Sequence, residues 1–597
     1  MVRPVIFCLG ASALPLARQL KTDLGGEIHV PDCVAGGDVT YPKARAHLAG
    51  LFREGRTIVG LCASGILIRA VAPHLKDKHD EPPVVAVAED GSSAVPLLGG
   101  HHGANALARR IAGICGGHAA ITTAGDLRLG AALDEPADGY VLGNREDLKH
   151  AVAAVLNGAA LARDTGDGLD PFPDLRLPNR PQGFDGVLLK VSDHRVAGDA
   201  ATLIYHPKTL VLGVGCERGV AAAEVIAHAE AVLAAARLAP QSLSFVASID
   251  VKEDETAIHA VARHFGVPAR FFAADELRAE SSRLKNPSTL VEREVGTPGV
   301  AEAAALAAAG RQAELVVEKT KSARVTCAVA RAPAPLRESP GRVRGLLHVV
   351  GLGPGTADWR APAASAALRA ASDWVGYGLY LDLAADLRDG QTEHRFPLGG
   401  EEDRVRHAID LAKQGKEVAL VCSGDAGIYA MAALVYEIVE LEPSRIAINV
   451  IPGISAFQAA AAKAGAMIGH DFCCISLSDL LTPWEVIERR LKAAAEGDFV
   501  VAFYNPRSLK RRDQIERAFE ILARQRPATT PVIIASNLGR PEEQVKITSL
   551  AAFNPDDVDM LTLVMVGSSQ SRSFIRGDGA IYAYTPRGYA RKREAAE

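Results

Sequence analysis

The chain has 597 residues, too many for one compact core, and at ~150 residues per domain about four domains are expected. Sixty-six Lys and Arg against 71 Asp and Glu leave a net charge of −5, so no global basic field recruits nucleic acid or an anionic membrane. An apolar fraction of 48% with 23% charged residues excludes disorder and a coiled coil, and 5% aromatics argues against base-stacking platforms.

Residues 5–17 (VIFCLGASALPLA) could pass for a short signal peptide. The same residues read as a buried strand over 5–9 that turns through 10–12 into an amphipathic helix, and that reading is preferred because the pattern recurs. IVGLC (58–62) runs into a glycine turn and a helix, and VVAV (84–87) runs into Glu89-Asp90-Gly91. A Pro-rich connector over 164–186 holds no helix, since proline fixes φ and removes a donor. The strand 209–213 precedes GCERG (215–219) and an Ala-rich helix, and a second Pro-rich stretch, 330–345, reads as a linker. Beyond it, strands over 346–350, 418–421 and 448–451 end in GLGPGT (351–356), SGDAG (423–427) and PGISA (452–456). The fold class is therefore α/β: several βα domains with mostly parallel sheets, covered by helices on both faces. The expected divisions are 1–130, 131–207 with its connector, 208–332, a linker at 333–344, and 345–597.

No stretch reaches the ~18 apolar residues of a membrane span. Nine cysteines at 8, 33, 62, 115, 216, 327, 422, 473 and 474 include no CxxC, and their odd number suits neither a zinc finger nor a secreted disulfide frame. The chain is expected in the reducing cytoplasm, without a metal of its own.

Three glycine-bearing turns at strand ends, within ~110 residues, can meet at one crevice. GLGPGT fails the dinucleotide pattern because Thr356 stands where GxGxxG needs its third glycine, and no GK[ST] follows. Pro354 also removes an amide that a phosphate cradle would use. Small side chains and exposed backbone of neutral to acidic character suit a ligand with a positive centre and an adenosine better than a triphosphate.

Residues 346–589 resemble the tetrapyrrole methylase family through GLGPGT, SGDAGIYAMA (423–432), VIPGISAFQAAAA (450–462), FYNPRS (503–508) and TPRGY (585–589). GHDFCCISLSDLLTPWEVIERRL (469–491), with Gly376, Tyr377 and Tyr380, is similar to the precorrin-3B C(17)-methyltransferase branch. The resemblance implies a two-domain methylase fold for this half and S-adenosylmethionine as cofactor. The substrate implied is a small cyclic tetrapyrrole, methylated at C(17) with ring contraction. It implies cofactor contacts at Pro354, Gly424, Asp425, Ile428, Ser455, Ala456 and Asn505. It also allows a homodimer through the methylase half. A polycarboxylate substrate needs local cations, for which Arg507, Arg511, Arg540 and Arg587 are the candidates. Asp425 could alternatively cap the next helix, and Tyr429 and Met431 read as packing residues.

In the N-terminal half, SGILIRAVAP (64–73), AVAEDGSSAVPLLGGHHGANALARRIA (86–112) and ITTAGD (121–126) resemble the cobalt-precorrin-5A hydrolase family. GVGCERG (213–219), SIDVKEDE (248–255), VPARFFAADEL (267–277) and VGTPGVAEAAAL (295–306) resemble that family's C-terminal domain. The resemblance implies opening of a corrinoid lactone with release of acetaldehyde. By motif position the catalytic candidates are His101, Asn105, Glu89 and Asp90, then Glu217 and Glu302, while Asn105 could instead cap a helix over 106–112. The histidine loop is one glycine shorter than the family pattern, with His102 inserted, so a corrinoid carrier is the alternative for this half. A nicotinamide oxidoreductase is disfavoured by the failed glycine pattern.

Overall fold

Short runs of β-branched and aliphatic residues, each closed by a glycine or proline turn, become the strands of this protein, and the Ala- and Leu-rich stretches between them become helices. The structure, a computed structural model, describes residues 3–77, 81–122, 132–165, 169–173, 175–508 and 512–589. The chain divides into two units, one of Met1–Ala247, Ala257–Pro268 and Asp275–Pro340, the other of Ser248–Thr256, Ala269–Ala274 and Gly341–Glu597.

The first unit opens with a seven-stranded sheet in the order Val39–Tyr41, Glu27–Pro31, Val5–Cys8, Ile58–Leu61, Val84–Val87, Ser93–Leu98, His118–Ala119. Val5–Cys8 is fully buried between two parallel neighbours, so the apolar N-terminal run is a core strand. A four-stranded sheet follows, in the order Tyr140–Leu142, Thr202–Pro207, Gly186–Val191, Ala160–Asp164. Further on, Leu210–Cys216 pairs antiparallel with Val325–Arg331, which pairs antiparallel with Glu314–Lys321.

In the second unit one five-stranded sheet is wholly parallel, in the order Thr392–Phe396, Asp373–Tyr377, Glu417–Cys422, Leu346–Gly351, Ala447–Ile451. Alternation along its strands feeds two cores. Leu347, Val349, Val418 and Leu420 pack on Val405, Ile409 and Ala412 of the helix Glu401–Lys413. Val350, Ala419 and Val421 pack the other way, on Leu368 of the helix Pro362–Ala370 and on Trp374. The other five-stranded sheet has the order Phe472–Ser476, Val500–Tyr504, Thr562–Val566, Pro531–Ser536, Gln544–Ser549, and only its first pair is parallel. The sheets are thus mixed overall: Ser93–Leu98 returns antiparallel to Val84–Val87 through a short loop that needs no crossover helix, and Thr562–Val566 runs antiparallel to both of its neighbours.

Candidate functional site

Three main-chain turns touch at the carboxyl ends of adjacent parallel strands. Gly353 N donates to Gly424 O at 3.1 Å and Gly424 N to Gly353 O at 2.8 Å, with both glycines in the left-handed region at φ 80° and 68°. A Cβ on Gly453 would stand 2.1 Å from Gly424 O and 2.7 Å from Gly351 O, so backbone meets backbone with no room for a side chain. Asp425 stitches these turns together. Its Oδ1 accepts from Gly427 N at 2.8 Å and its Oδ2 from Gly453 N at 3.1 Å. The next helix, Met431–Leu441, starts from Ala430 with no side-chain cap, so capping is not the role of Asp425.

Ser455 begins the helix Ala456–Ala464 with a capping box, its side chain reaching the third amide while Gln458 Oε1 accepts from Ser455 N at 2.9 Å. The Ser455 hydroxyl also lies 2.6 Å from the Tyr504 phenol, whose pKa burial pushes up to about 12. Asn505 follows, with Nδ2 donating to Ser476 Oγ at 3.1 Å. A Cβ on Gly355 would stand 2.4 Å from Gly539 O, and this contact brings the 537–540 loop beside the glycine turns.

Together these elements enclose a cavity of about 380 Å³. Pro354, Gly424, Asp425, Ile428, Ser455, Ala456 and Asn505 all line it, and so does Arg540. Tyr429, Asn505 and Asn537 line it with φ of 51°, 48° and 50°, three of the five left-handed non-glycine residues among those described. Such backbone is uncommon and concentrates at functional sites. Burial pushes the Tyr380 phenol up in pKa, opposed by the guanidinium of Arg540 and, less strongly, that of Arg404.

Several expectations change. Tyr429 is 52% exposed on the cavity wall, with its hydroxyl donating to Cys474 O at 2.9 Å and its ring 5.2 Å from that of Tyr504. Met431 lines the cavity too. Arg507 does not reach it, because Nη1 donates to Pro555 O at 2.5 Å and Nη2 pairs with Asp556 at 2.9 Å. Arg587 is exposed and away from the lining, and Arg511 lies outside the described residues. Sequence reasoning missed Arg404, although it sits four residues before Ala408 on the apolar stripe of its helix.

The N-terminal candidates are held mainly by their own surroundings. The exposed Glu89 accepts from Ser12 Oγ at 3.1 Å. Asp90 holds Ser92 N at 3.0 Å, and the Ser92 hydroxyl and amide keep its carboxyl below the usual range. His101 falls in the short turn Gly100–His102 between left-handed Gly99 and Gly103, and its side chain lies outside the described residues. The helix runs Ala104–Cys115 from Gly103, so Asn105 is a buried residue of its first turn, not its cap. Glu217 pairs with Arg324 at 3.0 Å. Glu302 is 1% exposed and accepts from Lys285 N, Asn286 N, Asn286 Nδ2 and Lys319 N at 2.8 to 3.0 Å. Burial works to raise its pKa, but these donors outweigh it and hold the carboxyl low, which makes Glu302 a structural strut.

Among the described residues no group of three or more His, Cys, Asp or Glu is placed to hold a metal ion, and no helix is long and apolar enough to cross a membrane. Residues 46–126 match the family described as Cobalamin synthesis G N-terminal, and 210–330 match Cobalamin synthesis G C-terminus. The chain is 45% identical over 257 residues to Cobalamin biosynthesis protein CobIJ of Mycobacterium bovis, an alignment covering 42% of this chain and 50% of that protein. It thus spans about half the length of that relative. It is 44% identical over 244 residues to the Probable cobalt-factor III C(17)-methyltransferase of Salmonella typhimurium, covering 41% of this chain and 99% of that one. The crystal structure of the methyltransferase CobJ aligns at 42% identity over 40% of this chain and all of that one, with a TM-score of 0.38. Residues 346–554 match the Tetrapyrrole (Corrin/Porphyrin) Methylases, and through them this chain belongs to that family.

Proposed function

We propose that this chain is a bifunctional enzyme of corrin-ring construction. Its second unit would methylate C(17) of a precorrin-3B-type tetrapyrrole from S-adenosylmethionine, with ring contraction. The observation that carries this reading is the convergence of seven separately placed sequence positions, 354 to 505, on one cavity. Its volume of about 380 Å³ falls within the range of small-ligand sites. The floor is main chain, and Pro354 offers no amide to a phosphate, which favours a sulfonium nucleoside over a triphosphate. S-adenosylmethionine supplies an already activated methyl group. The chain's task is then to bind, orient and exclude water. Asp425 fixes the turns, Ser455 and Tyr504 fix the start of the helix Ala456–Ala464, and Arg540 offers a cation to a polycarboxylate. A cytoplasmic location rests on the cysteine usage. Calorimetry of the full chain should show one S-adenosylmethionine bound per chain, and label should pass from its methyl group to a precorrin-type tetrapyrrole. The absence of both binding heat and methyl transfer would refute the reading.

The N-terminal half would be the hydrolase-like module that opens a corrinoid lactone, a reading supported by the two Cobalamin synthesis G matches. A carrier role is favoured by one specific observation: Glu302 and Asp90 are committed to backbone amides. Acetaldehyde released by the full chain from a lactone-bearing corrinoid decides for hydrolysis, and binding without release decides for the carrier.

A further inference from the structure

We propose that Arg404 is a fixed cation that binds a carboxylate of the ligand filling this cavity. The proposal rests on reading the cavity as the site of an S-adenosyl cofactor and a tetrapyrrole polycarboxylate.

Arg404 lies in the first turn of the helix Glu401–Lys413, is 3% exposed, and lines the cavity. Burying a guanidinium is costly unless an anion and hydrogen bonds compensate. The other buried arginines have either a carboxylate or several carbonyl acceptors. Arg360 is paired with Asp386, and Arg526 donates to the carbonyls of Val566, Gly567 and Phe499. Arg404 has only Pro397 O at 2.9 Å and the Met431 thioether at 4.0 Å. Its Nε is buried without a partner, as are those of Arg360 and Arg526, so the difference lies at the Nη atoms, where Arg404 has one carbonyl and a thioether. Among the described residues no carboxylate forms an ion pair with it, and Glu401, one turn back on the same wall, accepts from Gly399 N instead. The cavity therefore holds a desolvated, directional donor whose complement is absent among the described residues. Arg540, across the same cavity, repeats the pattern with its own buried and unpartnered Nε.

The chemistry that satisfies a guanidinium fork is a carboxylate, accepted in two parallel hydrogen bonds. Two sources share that chemistry: the amino-acid end of the cofactor and the acetate or propionate arms of the macrocycle. Three probes separate them by calorimetry on the full chain. S-adenosylhomocysteine carries adenosine and a carboxylate, 5′-methylthioadenosine carries adenosine without one, and uroporphyrin is a macrocyclic octacarboxylate.

Arg404→Gln should weaken at least one carboxylate-bearing probe by roughly 10- to 100-fold, while 5′-methylthioadenosine binds as it does to the unaltered chain. Loss confined to S-adenosylhomocysteine assigns the cofactor carboxylate, and loss confined to uroporphyrin assigns the macrocycle. Arg404→Lys, which keeps a point charge but not the fork, should restore part of the loss. Unchanged affinity for all three probes overturns the proposal, as does an equal loss for the uncharged nucleoside. Failure of both variants to reach the far-UV dichroism of the unaltered chain assigns Arg404 to the fold and also overturns it. The underlying reading of the cavity fails differently, by an unaltered chain that binds no nucleoside probe.

Discussion

Replacing Gly453 by alanine tests whether the cavity floor is built by main-chain contact. The added Cβ would begin 2.1 Å from Gly424 O, 2.7 Å from Gly351 O and 2.8 Å from the Gly351 carbonyl carbon. Neither obstacle is a flexible side chain, so one turn must retreat by roughly 1 Å to reach ordinary contact, with overpacking that costs about 1–3 kcal/mol. Gly453 is not among the positive-φ glycines, so the effect is steric rather than conformational. At about 2–4 °C per kcal/mol for a body of 150–250 residues, melting should fall by roughly 2–12 °C. Gly424 and Asp425 would move with the turn, and a 1 Å misplacement at a site costs on the order of 10²-fold in function. The assay is S-adenosylhomocysteine calorimetry beside a thermal melt of the full chain. Gly577→Ala is the control, because a Cβ there meets nothing within 4 Å. If Gly453→Ala melts and binds like the control, the turns do not form the floor.

Glu302→Ala should destabilise the protein by about 3–5 kcal/mol, since it strips four donors of a buried acceptor. Because the folded carboxyl is held low, its contribution is present above the usual carboxylate range and is lost as pH falls through the lowered value; urea melts at several pH values check both. His47 has its pKa lowered to about 4 by burial and by the charge of His29. The fold therefore favours the neutral ring, and stability complete above pH ~6.5 should decline as pH falls toward 4, a slope that His47→Gln should flatten in pH-dependent melts. Arg507→Ala should leave nucleoside and uroporphyrin affinity within about threefold and cost at most ~1 kcal/mol, the scale of a partly exposed ion pair; a larger affinity loss would put Arg507 back at the ligand.

The parallel strands were the legible part of the sequence. Apolar runs at 84–87 and 346–350 correspond to Val84–Val87 and Leu346–Gly351 because strands buried on both faces are built mainly of aliphatic residues, and the one buried polar residue among them, His348, is paired with Glu417 at 2.9 Å. Ser93–Leu98 was hidden by Pro96 and by its mixed burial, which blurs the alternation of a strand. The glycine turns announced the cavity floor, since only glycine fits where backbone meets backbone. The opposite wall, from Asn537, Leu538 and Met560 to Leu563, carries no local signature and becomes a wall only through chain reversal. Arg404 reads as a solvated helix residue until its place on the apolar stripe is weighed. Arg507 shows the converse: a basic residue within a motif spent on its neighbours Pro555 and Asp556.

The mutual contact of Gly351, Gly424 and Gly453 divides the labour of evolutionary change in this cavity. A floor of peptide groups offers almost no side-chain variables, so its geometry can be kept or lost but scarcely tuned. The walls, by contrast, are side chains such as Tyr380, Arg404 and Leu398, each of which a single substitution changes. With a nucleoside seated as proposed, such an architecture can keep that seat constant while the surface above it is re-cut for successive macrocycles.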